Sequence, residues 1–244
     1  MRHHRFERLN NFRDLGGYRT ADGTTLSWNV YYRSDSLGKL AGPDLERFRD
    51  LGVRTVIDLR HQHEIDKRGR VPDLPDLAYH HLPVERRPWD LAALDEDRPV
   101  GRFLADRYRE VAEDGRVELR TALEVLADSP GPAVFHCAAG KDRTGLLAAL
   151  VLLAVGVAEA DVVADYALTA LVRTRLMAEY RAEGNESTWP GFGHAPAEAM
   201  ELALVDLVSD YGSPTAYLRD YLGVSDTTVR GLREKLTHAW THRA

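Results

Sequence analysis

The chain has 244 residues, of which 44% are hydrophobic and 29% charged, and its formal net charge is −6. These values are typical of a soluble globular protein with one large domain, and they exclude a chain-wide basic field that would attract nucleic acid. The single cysteine excludes an internal disulfide and any metal site built from two thiolates.

The first half of the chain alternates predicted helices and strands. A helix is predicted over 43–51, followed by strands over 53–59 and 78–84. Helical spacing returns over 101–128, and the short apolar segment 132–135 is predicted to be a third strand. Strands separated by helices predict an α/β fold with a central, mainly parallel sheet flanked by helices.

The second half is mainly helical. The apolar run 146–155 is about half the length of a membrane span, so it predicts a buried helix and no stable membrane insertion. Turn-forming residues over 185–196 predict a loop, and a helix is predicted over 197–210. Ser213 and Ser225 are suited to begin two further helices. No repeat or linker divides the chain, so we expect one domain over 1–244.

A ten-residue segment between the third strand and the next helix carries the chemistry: His136-Cys137-Ala138-Ala139-Gly140-Lys141-Asp142-Arg143-Thr144-Gly145. A tight loop entering a helix points backbone N–H groups inward, and the helix dipole adds positive potential, which suits a phosphate dianion. The same field favours the thiolate of Cys137, the nucleophilic form. Arg143 can bind two phosphate oxygens through its planar guanidinium. The segment therefore predicts a phosphatase that forms a phosphocysteine intermediate.

The other residues of this loop are predicted to bind the phosphate or support the loop. Substrate contacts are expected from Ala138, Ala139 and Gly140, and Gly140 lets the backbone turn without a Cβ clash. Thr144 can donate its hydroxyl to the sulfur of Cys137 when the sulfur leaves. His136 is expected to orient the loop by hydrogen bonds rather than to transfer a proton.

Several other interpretations compete with this prediction. Cys137 could be a buried structural cysteine, or belong to a sulfurtransferase or a phosphate-binding pseudophosphatase. Segment 217–236 superficially resembles a helix-turn-helix, but residues 214–244 carry five basic side chains against three acidic ones, a weak footprint for DNA. We therefore expect no nucleic-acid partner. No histidine–carboxylate pattern of zinc-enzyme type occurs, so we expect no metal and no cofactor.

The loop resembles the signature of the Cys-dependent protein tyrosine phosphatase superfamily. The core Gly140–Gly145 is similar to that of bacterial tyrosine/serine, or triple-specificity, phosphatases. Other segments that agree are Asn11-Phe12-Arg13-Asp14-Leu15-Gly16-Gly17-Tyr18, Tyr32-Arg33-Ser34, Val56-Ile57-Asp58-Leu59-Arg60 and the ending from Tyr211 to Gly223. The resemblance implies phosphotyrosine activity, with phosphoserine, phosphothreonine and phosphoinositides as further substrates.

A phosphatase also needs an acid that protonates the leaving oxygen. Classical tyrosine phosphatases take it from a Trp-Pro-Asp loop, which this chain lacks. Asp142 is our first candidate, and Asp90 and Asp58 are the alternatives. In the resembled family the role is attributed to the aspartate of the signature loop or to that of the Asp-Leu-Arg segment, here Asp58.

Two cations bear on the substrate class. In the resembled families a lysine at the position of Lys141 accompanies phosphoinositide activity, and Arg60 is expected to extend the substrate-binding surface. The alternative is that Lys141 is solvated or paired with a carboxylate, and that Arg60 forms a structural ion pair. The expected partner is a phosphoprotein or a phosphoinositide.

The helices at about 160–211 carry no motif of their own. By resemblance they form a lid over the active site, and the alternative is an ordinary packed layer of helices. The N-terminal segment lacks an apolar signal core, so a cytoplasmic location is expected, with export by another route left open. The sequence does not determine the oligomeric state.

Overall fold

The computed structural model describes residues 2–87, 89, 98–184, 186, 189 and 191–237. At their centre lies a five-stranded sheet made of β1 (Arg13–Asp14), β2 (Tyr31–Ser34), β3 (Thr55–Asp58), β4 (Ala78–His81) and β5 (Ala133–His136). The strand order is β1-β2-β5-β3-β4. β2, β5, β3 and β4 are parallel, and β1 pairs antiparallel with β2 at one edge. The predicted mainly parallel α/β sheet is confirmed.

Helices cover both faces of this sheet. The α-helices of the described residues are α1 (Pro43–Asp50), α2 (Gln62–Arg68), α3 (Val100–Asp114), α4 (Arg116–Asp128), α5 (Asp142–Ala154), α6 (Glu159–Ala167), α7 (Arg173–Ala182), α8 (Ala197–Tyr211), α9 (Pro214–Ala216) and α10 (Asp226–Thr237). Short 3₁₀ turns occupy Leu37–Lys39 and Leu168–Val172, and a π-helical turn at Tyr217–Tyr221 continues α9.

Successive side chains of the central strands point to opposite faces of the sheet and belong to two separate hydrophobic clusters. Val56 and Val134 point into a smaller cluster that also holds Phe48 of α1, whereas Ile57 and Phe135, the next residues along, belong to the larger cluster. This is the period-2 alternation of a sheet buried on both faces. Helix α5 lies within the larger cluster.

The apolar run 146–155 forms most of α5, and its residues from Leu146 to Leu152 are all buried. The prediction of a buried helix there is confirmed. None of the helices in the described part of the chain is long and apolar enough to cross a membrane. Ser213 and Ser225 accept hydrogen bonds from the backbone N–H groups of Ala216 and Thr228, as expected for helix starts.

The sequence analysis did not predict β1, β2 or α2. β2 reads Tyr-Tyr-Arg-Ser, and all four residues are buried although two are polar. Its arginine is buried because a carboxylate from a distant helix neutralises it, which local pattern does not reveal. Helix α2 buries none of its residues, so it lacks the apolar stripe by which helices are recognised.

The parallel arrangement brings the carboxyl ends of β2, β3 and β5 to one edge of the sheet. The segments after Ser34, Asp58 and His136 therefore meet there. This edge is where an open α/β sheet binds ligands. The predicted signature loop leaves β5 at this edge and enters α5.

The C-terminal helices are of two kinds. α6 and α8 bury side chains in the larger core, including Val162 and Leu204. α7 buries none of its residues and lies beside the edge of the sheet that carries the signature loop. The segment 160–211 thus combines a packed helical layer with one helix that covers the loop.

Candidate active site

The signature loop turns sharply between β5 and α5. Gly140 has φ of +66°, and a Cβ at this position would lie 2.5 Å from the carbonyl oxygen of Ser34. Both the left-handed backbone and the close approach to β2 require glycine. This geometry agrees with the role in the turn that the sequence analysis expects for Gly140.

Groups behind the loop hold its carbonyls away from the cavity. Ser36 N–H donates to the carbonyl of Ala138 at 3.1 Å, and Asn11 Nδ2 donates to those of Ala139 and Gly140 at 2.9 and 3.1 Å. The backbone N–H groups of 138–141 donate to no acceptor in the described residues. Because the N–H and C=O groups of a tight loop point to opposite sides, these donors are left for a bound anion.

A buried ion cluster supports the loop from further back. Arg33 Nη2 donates to the carbonyl of Gly140 at 2.9 Å, and its Nη1 pairs with Asp165 at 2.6 Å. Arg13 contacts the same carboxylate, with Nε 3.5 Å from Oδ1. Burial and the charge of Arg33 lower the pKa of Arg13 to about 9. Burial by itself raises the pKa of Asp165, but the two arginines outweigh it and lower that pKa.

Cys137 lines a cavity of about 520 Å³ and is 2% exposed. Ala138, Ala139, Lys141, Asp142 and Arg143 also line this cavity. The structure therefore brings the predicted nucleophile, arginine and first acid candidate to one site. The opposite walls are partly aromatic, formed by Trp89, Tyr180, Trp189 and Phe192.

Arg143 is fixed by a carboxylate that the sequence analysis did not identify. Its Nη1 and Nη2 donate to the two oxygens of Glu64 at 2.5 and 2.9 Å, and its Nε lies 3.6 Å from Glu85. Burial lowers the pKa of Arg143, but the hydrogen bonds to Glu64 and the nearby negative charges raise it further than burial lowers it. Burial raises the pKa of Glu64, and Arg143 outweighs it and lowers the value to about 2.

Asp142 is the first residue of α5 and lines the cavity. Tyr108 Oη donates to its Oδ1 at 2.6 Å, and Lys141 Nζ lies 3.3 Å from the same oxygen. Lys141 also donates to the carbonyl of His194 at 2.8 Å and is 5% exposed. The ion pair that was the alternative for Lys141 is thus present, although the side chain remains part of the cavity wall.

Asp58 and Arg60 lie outside the cavity. Arg60 Nε and Nη2 donate to Asp58 at 2.8 and 2.6 Å, and its Nη1 donates to Ser36 Oγ at 2.9 Å. Both side chains are fully buried. Arg60 therefore forms the structural ion pair that was its alternative, and the structure does not bring it to the substrate-binding surface.

Asp58 is also a poor proton donor. Burial raises its pKa, but the hydrogen bonds from Arg60 outweigh burial and lower the pKa to about 2. A carboxylate that is ionised near neutral pH has no proton to give a leaving group. The third candidate, Asp90, lies outside the described residues.

His136 and Thr144 flank the nucleophile and are both buried. Burial lowers the pKa of His136 to about 4, so the ring is neutral, and its Nδ1 lies 3.4 Å from the carbonyl of Cys137. This agrees with a role in orienting the loop. Thr144 Oγ1 has no hydrogen-bond partner among the described residues, which leaves it available to the sulfur.

The comparisons with known proteins agree with this geometry. The model of a family described as the tyrosine phosphatase family matches residues 4–238. The chain belongs to the tyrosine phosphatase family. The predicted resemblance is therefore confirmed at the level of the family.

Individual relatives match along most of their length. The chain is 30% identical to the triple specificity protein phosphatase PtpB of Mycobacterium tuberculosis over 91% of this chain and 95% of the relative. It is 28% identical to a tyrosine-protein phosphatase of Nostoc commune, over 88% and 77% of the two chains. A protein of Cupriavidus necator is 30% identical over 93% and 86%.

Proposed function

We propose that this chain hydrolyses phosphoric monoesters through a phosphocysteine formed on Cys137. The observation that carries the proposal is that Cys137 and Arg143 line one cavity, and that Cys137 begins a loop whose backbone N–H groups at 138–141 donate to no acceptor in the described residues. A dianionic phosphate placed there meets several donors and one fixed cation. Membership of the tyrosine phosphatase family supports phosphotyrosine as the substrate.

The proposed reaction has two steps. In the first, the thiolate of Cys137 forms a bond to phosphorus, the P–O bond to the substrate breaks, and an acid protonates the leaving oxygen. In the second, water attacks phosphorus, the S–P bond breaks, and the same carboxylate accepts the proton of the water. The thiolate and inorganic phosphate are the products, and Thr144, whose Oγ1 has no hydrogen-bond partner in the described residues, is proposed to donate to the sulfur as it leaves.

We assign the acid to Asp142. It lines the cavity together with Cys137, whereas Asp58 is buried behind the loop in its ion pair with Arg60. The position of Asp142 in the first turn of α5 keeps it within the same rigid element as Arg143. A donor and a phosphate-binding group that share one helix turn keep a constant mutual geometry during the reaction.

The substrate range is proposed to extend beyond phosphotyrosine. The aromatic walls of the cavity suit the ring of a phosphotyrosine. The relative from Mycobacterium tuberculosis is named for triple specificity, which supports testing phosphoserine, phosphothreonine and phosphoinositides as well. Lys141 adds a second cation for the more highly charged of these substrates.

The nucleophile is tested with Cys137→Ser and Cys137→Ala. Turnover of p-nitrophenyl phosphate and of a phosphotyrosine peptide should fall by at least about a thousandfold in both variants, because the thiolate is absent. Rapid acid quenching of the wild type with a ³²P-labelled phosphotyrosine peptide should leave label on the protein, and Cys137→Ser should not be labelled in this way. Residual turnover near the wild-type rate would reject the proposal, and binding without turnover in the wild type would indicate a pseudophosphatase.

The acid is tested with Asp142→Asn. Turnover of phenyl phosphate, whose phenolate is a poor leaving group, should fall by about a hundredfold. Turnover of p-nitrophenyl phosphate should fall much less, because the stable p-nitrophenolate leaves with little need of protonation. The matched control is Asp161→Asn, which removes a carboxylate from the first turn of α6. Equal losses on the two substrates would contradict the assignment of Asp142.

A further inference from the structure

Two buried tyrosines from different helices meet behind the proposed acid. Tyr108 of α3 places its Oη 2.6 Å from Asp142 Oδ1, and the same Oη lies 2.6 Å from the Oη of Tyr166 in α6. Both tyrosines are almost completely buried. The side chains therefore form a continuous line of hydrogen bonds from the core to the edge of the cavity.

We propose that Tyr108, supported by Tyr166, is a positioning residue that selects which oxygen of Asp142 carries the catalytic proton. The inference rests on the proposed function, in which Asp142 is the general acid. It goes further because it concerns residues of α3 and α6, which are far from the signature loop in sequence.

The direction of each hydrogen bond follows from the chemistry of the groups. Oδ1 of Asp142 accepts both when the carboxyl is ionised and when its proton is on Oδ2, so Tyr108 donates to Oδ1. The Tyr108 oxygen then accepts a hydrogen bond from the hydroxyl of Tyr166. Burial raises the pKa of Tyr108 well above its ordinary value, with Asp142 adding to the effect, and burial also raises the pKa of Tyr166. Both hydroxyls thus keep their protons at any pH at which the enzyme works.

The two oxygens of Asp142 are consequently unequal. Oδ1 accepts from Tyr108 and lies 3.3 Å from Lys141 Nζ, so two donors occupy it. Oδ2 has no hydrogen-bond donor in the described part of the chain. A proton is added most readily to the oxygen that is not already accepting, which makes Oδ2 the acid and leaves Oδ1 as the anchored end.

Charged and polar groups surround Asp142 and the two tyrosines. Asp142 contacts Tyr108 of α3 and Lys141 of its own loop. Cys137 and Arg143 line the same cavity, and Tyr166 of α6 lies behind Tyr108. Arg33 of β2 acts on Tyr166 from the far side. Among these groups, Tyr108 is the neutral donor that can fix the carboxylate without adding charge.

The main test is Tyr108→Phe, which keeps the ring in the core and removes only the hydroxyl. Turnover of phenyl phosphate should fall by about tenfold, with little loss on p-nitrophenyl phosphate, because a free carboxylate presents its proton less often in the productive direction. Tyr166→Phe should give a smaller change in the same direction.

The matched control is Tyr217→Phe. Tyr217 is a buried tyrosine whose hydroxyl donates to the carbonyl of Ala112, also in α3, at 2.8 Å. Its loss should cost stability and leave the ratio of the two substrate rates unchanged. If Tyr108→Phe lowers the turnover of both substrates by the same factor, so that their ratio is unchanged as in the control, the hydroxyl has only a structural role.

A double variant separates this inference from the assignment of the acid. In an Asp142→Asn background, Tyr108→Phe should cause no further change in the ratio of the two rates, because its action passes through Asp142. If the ratio changes as much there as in the wild type, the inference fails while the acid assignment stands. If Asp142→Asn itself leaves the ratio unchanged, both fail together.

Discussion

The pairing of Arg143 with Glu64 shows how one residue can be prepared for an anion before the anion arrives. Glu64 takes one N–H from each terminal nitrogen of the guanidinium. The Nε–H, which lies near Glu85, and the outer N–H of one terminal nitrogen make no hydrogen bond in the described residues, and under the proposed function they would bind the phosphate with a second fork. Because the side chain is already ordered, little conformational entropy is lost on binding.

Lys141 is the residue on which the proposed substrate range depends. In Lys141→Ala, phosphoinositide turnover should fall by about tenfold, and phosphotyrosine turnover should fall less, since the inositol substrate carries more negative charge into a partly dehydrated cavity. Parallel assays of kcat/KM on both substrates measure the difference. Lys67→Ala, which removes a more exposed lysine from the same cavity, is the matched control. Unchanged phosphoinositide turnover in Lys141→Ala would show that Lys141 does not contribute to the use of this substrate.

The sequence predicted the residues of the site that are neighbours in the chain. Cys137, Asp142 and Arg143 lie within seven positions, and a strand followed by a helix fixes how such neighbours are arranged. Glu64 and Tyr108 were missed because each reaches the site from a separate helix, and nothing in local spacing indicates that contact. Arg60 was predicted to bind substrate because its charge is visible in the sequence, whereas the burial of its ion pair is not.

At the scale of elements, β2 is a buried strand that its own local sequence does not predict. An arginine in a four-residue segment argues against a central strand when only the local pattern is considered. Arg33 forms an ion pair with Asp165 of α6 and donates a hydrogen bond to the carbonyl of Gly140 in the signature loop. The strand therefore connects the helical layer to the signature loop, which explains why a charge is buried there.

Helix α7 is attached to the rest of the molecule mainly by polar contacts. Glu179 accepts hydrogen bonds from Asn10 Nδ2 at 2.6 Å and from Lys39 Nζ at 2.7 Å, and Glu183 pairs with Arg68. No residue of the helix is buried. Such contacts are weak and sensitive to salt, so α7 is the element over the cavity that is most easily displaced.

This attachment predicts how accessible the thiol is. In Glu179→Gln, alkylation of Cys137 by iodoacetamide should be about two- to fivefold faster than in the wild type, because the loss of weak ion pairs releases α7. Raising the salt concentration from about 0.05 to about 0.5 M should accelerate the alkylation of Cys137 in the wild type, and so reduce the difference in rate between the wild type and Glu179→Gln. Mass spectrometry of the modified protein gives the rates.

The control for the accessibility experiment is Glu46→Gln, which breaks an exposed ion pair with Arg49 in α1. It should leave the alkylation rate of Cys137 unchanged. If Glu179→Gln also leaves the rate unchanged at both salt concentrations, α7 does not limit access to the cavity.

For the whole molecule, the ion pairs buried along the carboxyl edge of the sheet make stability depend on pH. Asp58 has an ordinary pKa of 3.8 and a folded value of about 2, because hydrogen bonds from Arg60 outweigh its burial. A lowered pKa contributes stability that is present above the ordinary value and is lost as the pH falls towards the folded value. For Asp58 this contribution is roughly 2 kcal/mol.

The corresponding prediction concerns Asp58→Asn. At neutral pH it should lower the free energy of unfolding by about 3 kcal/mol, since it leaves the guanidinium of Arg60 buried without its counter-charge. The difference from the wild type should shrink as the pH falls from about 4 to about 2, because protons bind the carboxylate of the unfolded wild type first and that of the folded protein only near the folded pKa. Urea titrations at a series of pH values measure it. Asp73→Asn, at an exposed ion pair with Arg70, should show a small difference throughout, and a constant difference for Asp58→Asn would contradict the prediction.

The ion cluster behind the signature loop also bears on how the protein is synthesised. Arg13 and Arg33 leave the ribosome before Cys137, but their shared partner Asp165 follows only after α5. The backbone N–H of Ser27 donates to the carbonyl of Leu236 at 2.6 Å, and Leu236, near the end of α10, is also synthesised later. A nascent chain that already contains the whole signature loop therefore still lacks the carboxylate that neutralises the two arginines behind the loop. The support of the signature loop is therefore completed only after translation has passed α6.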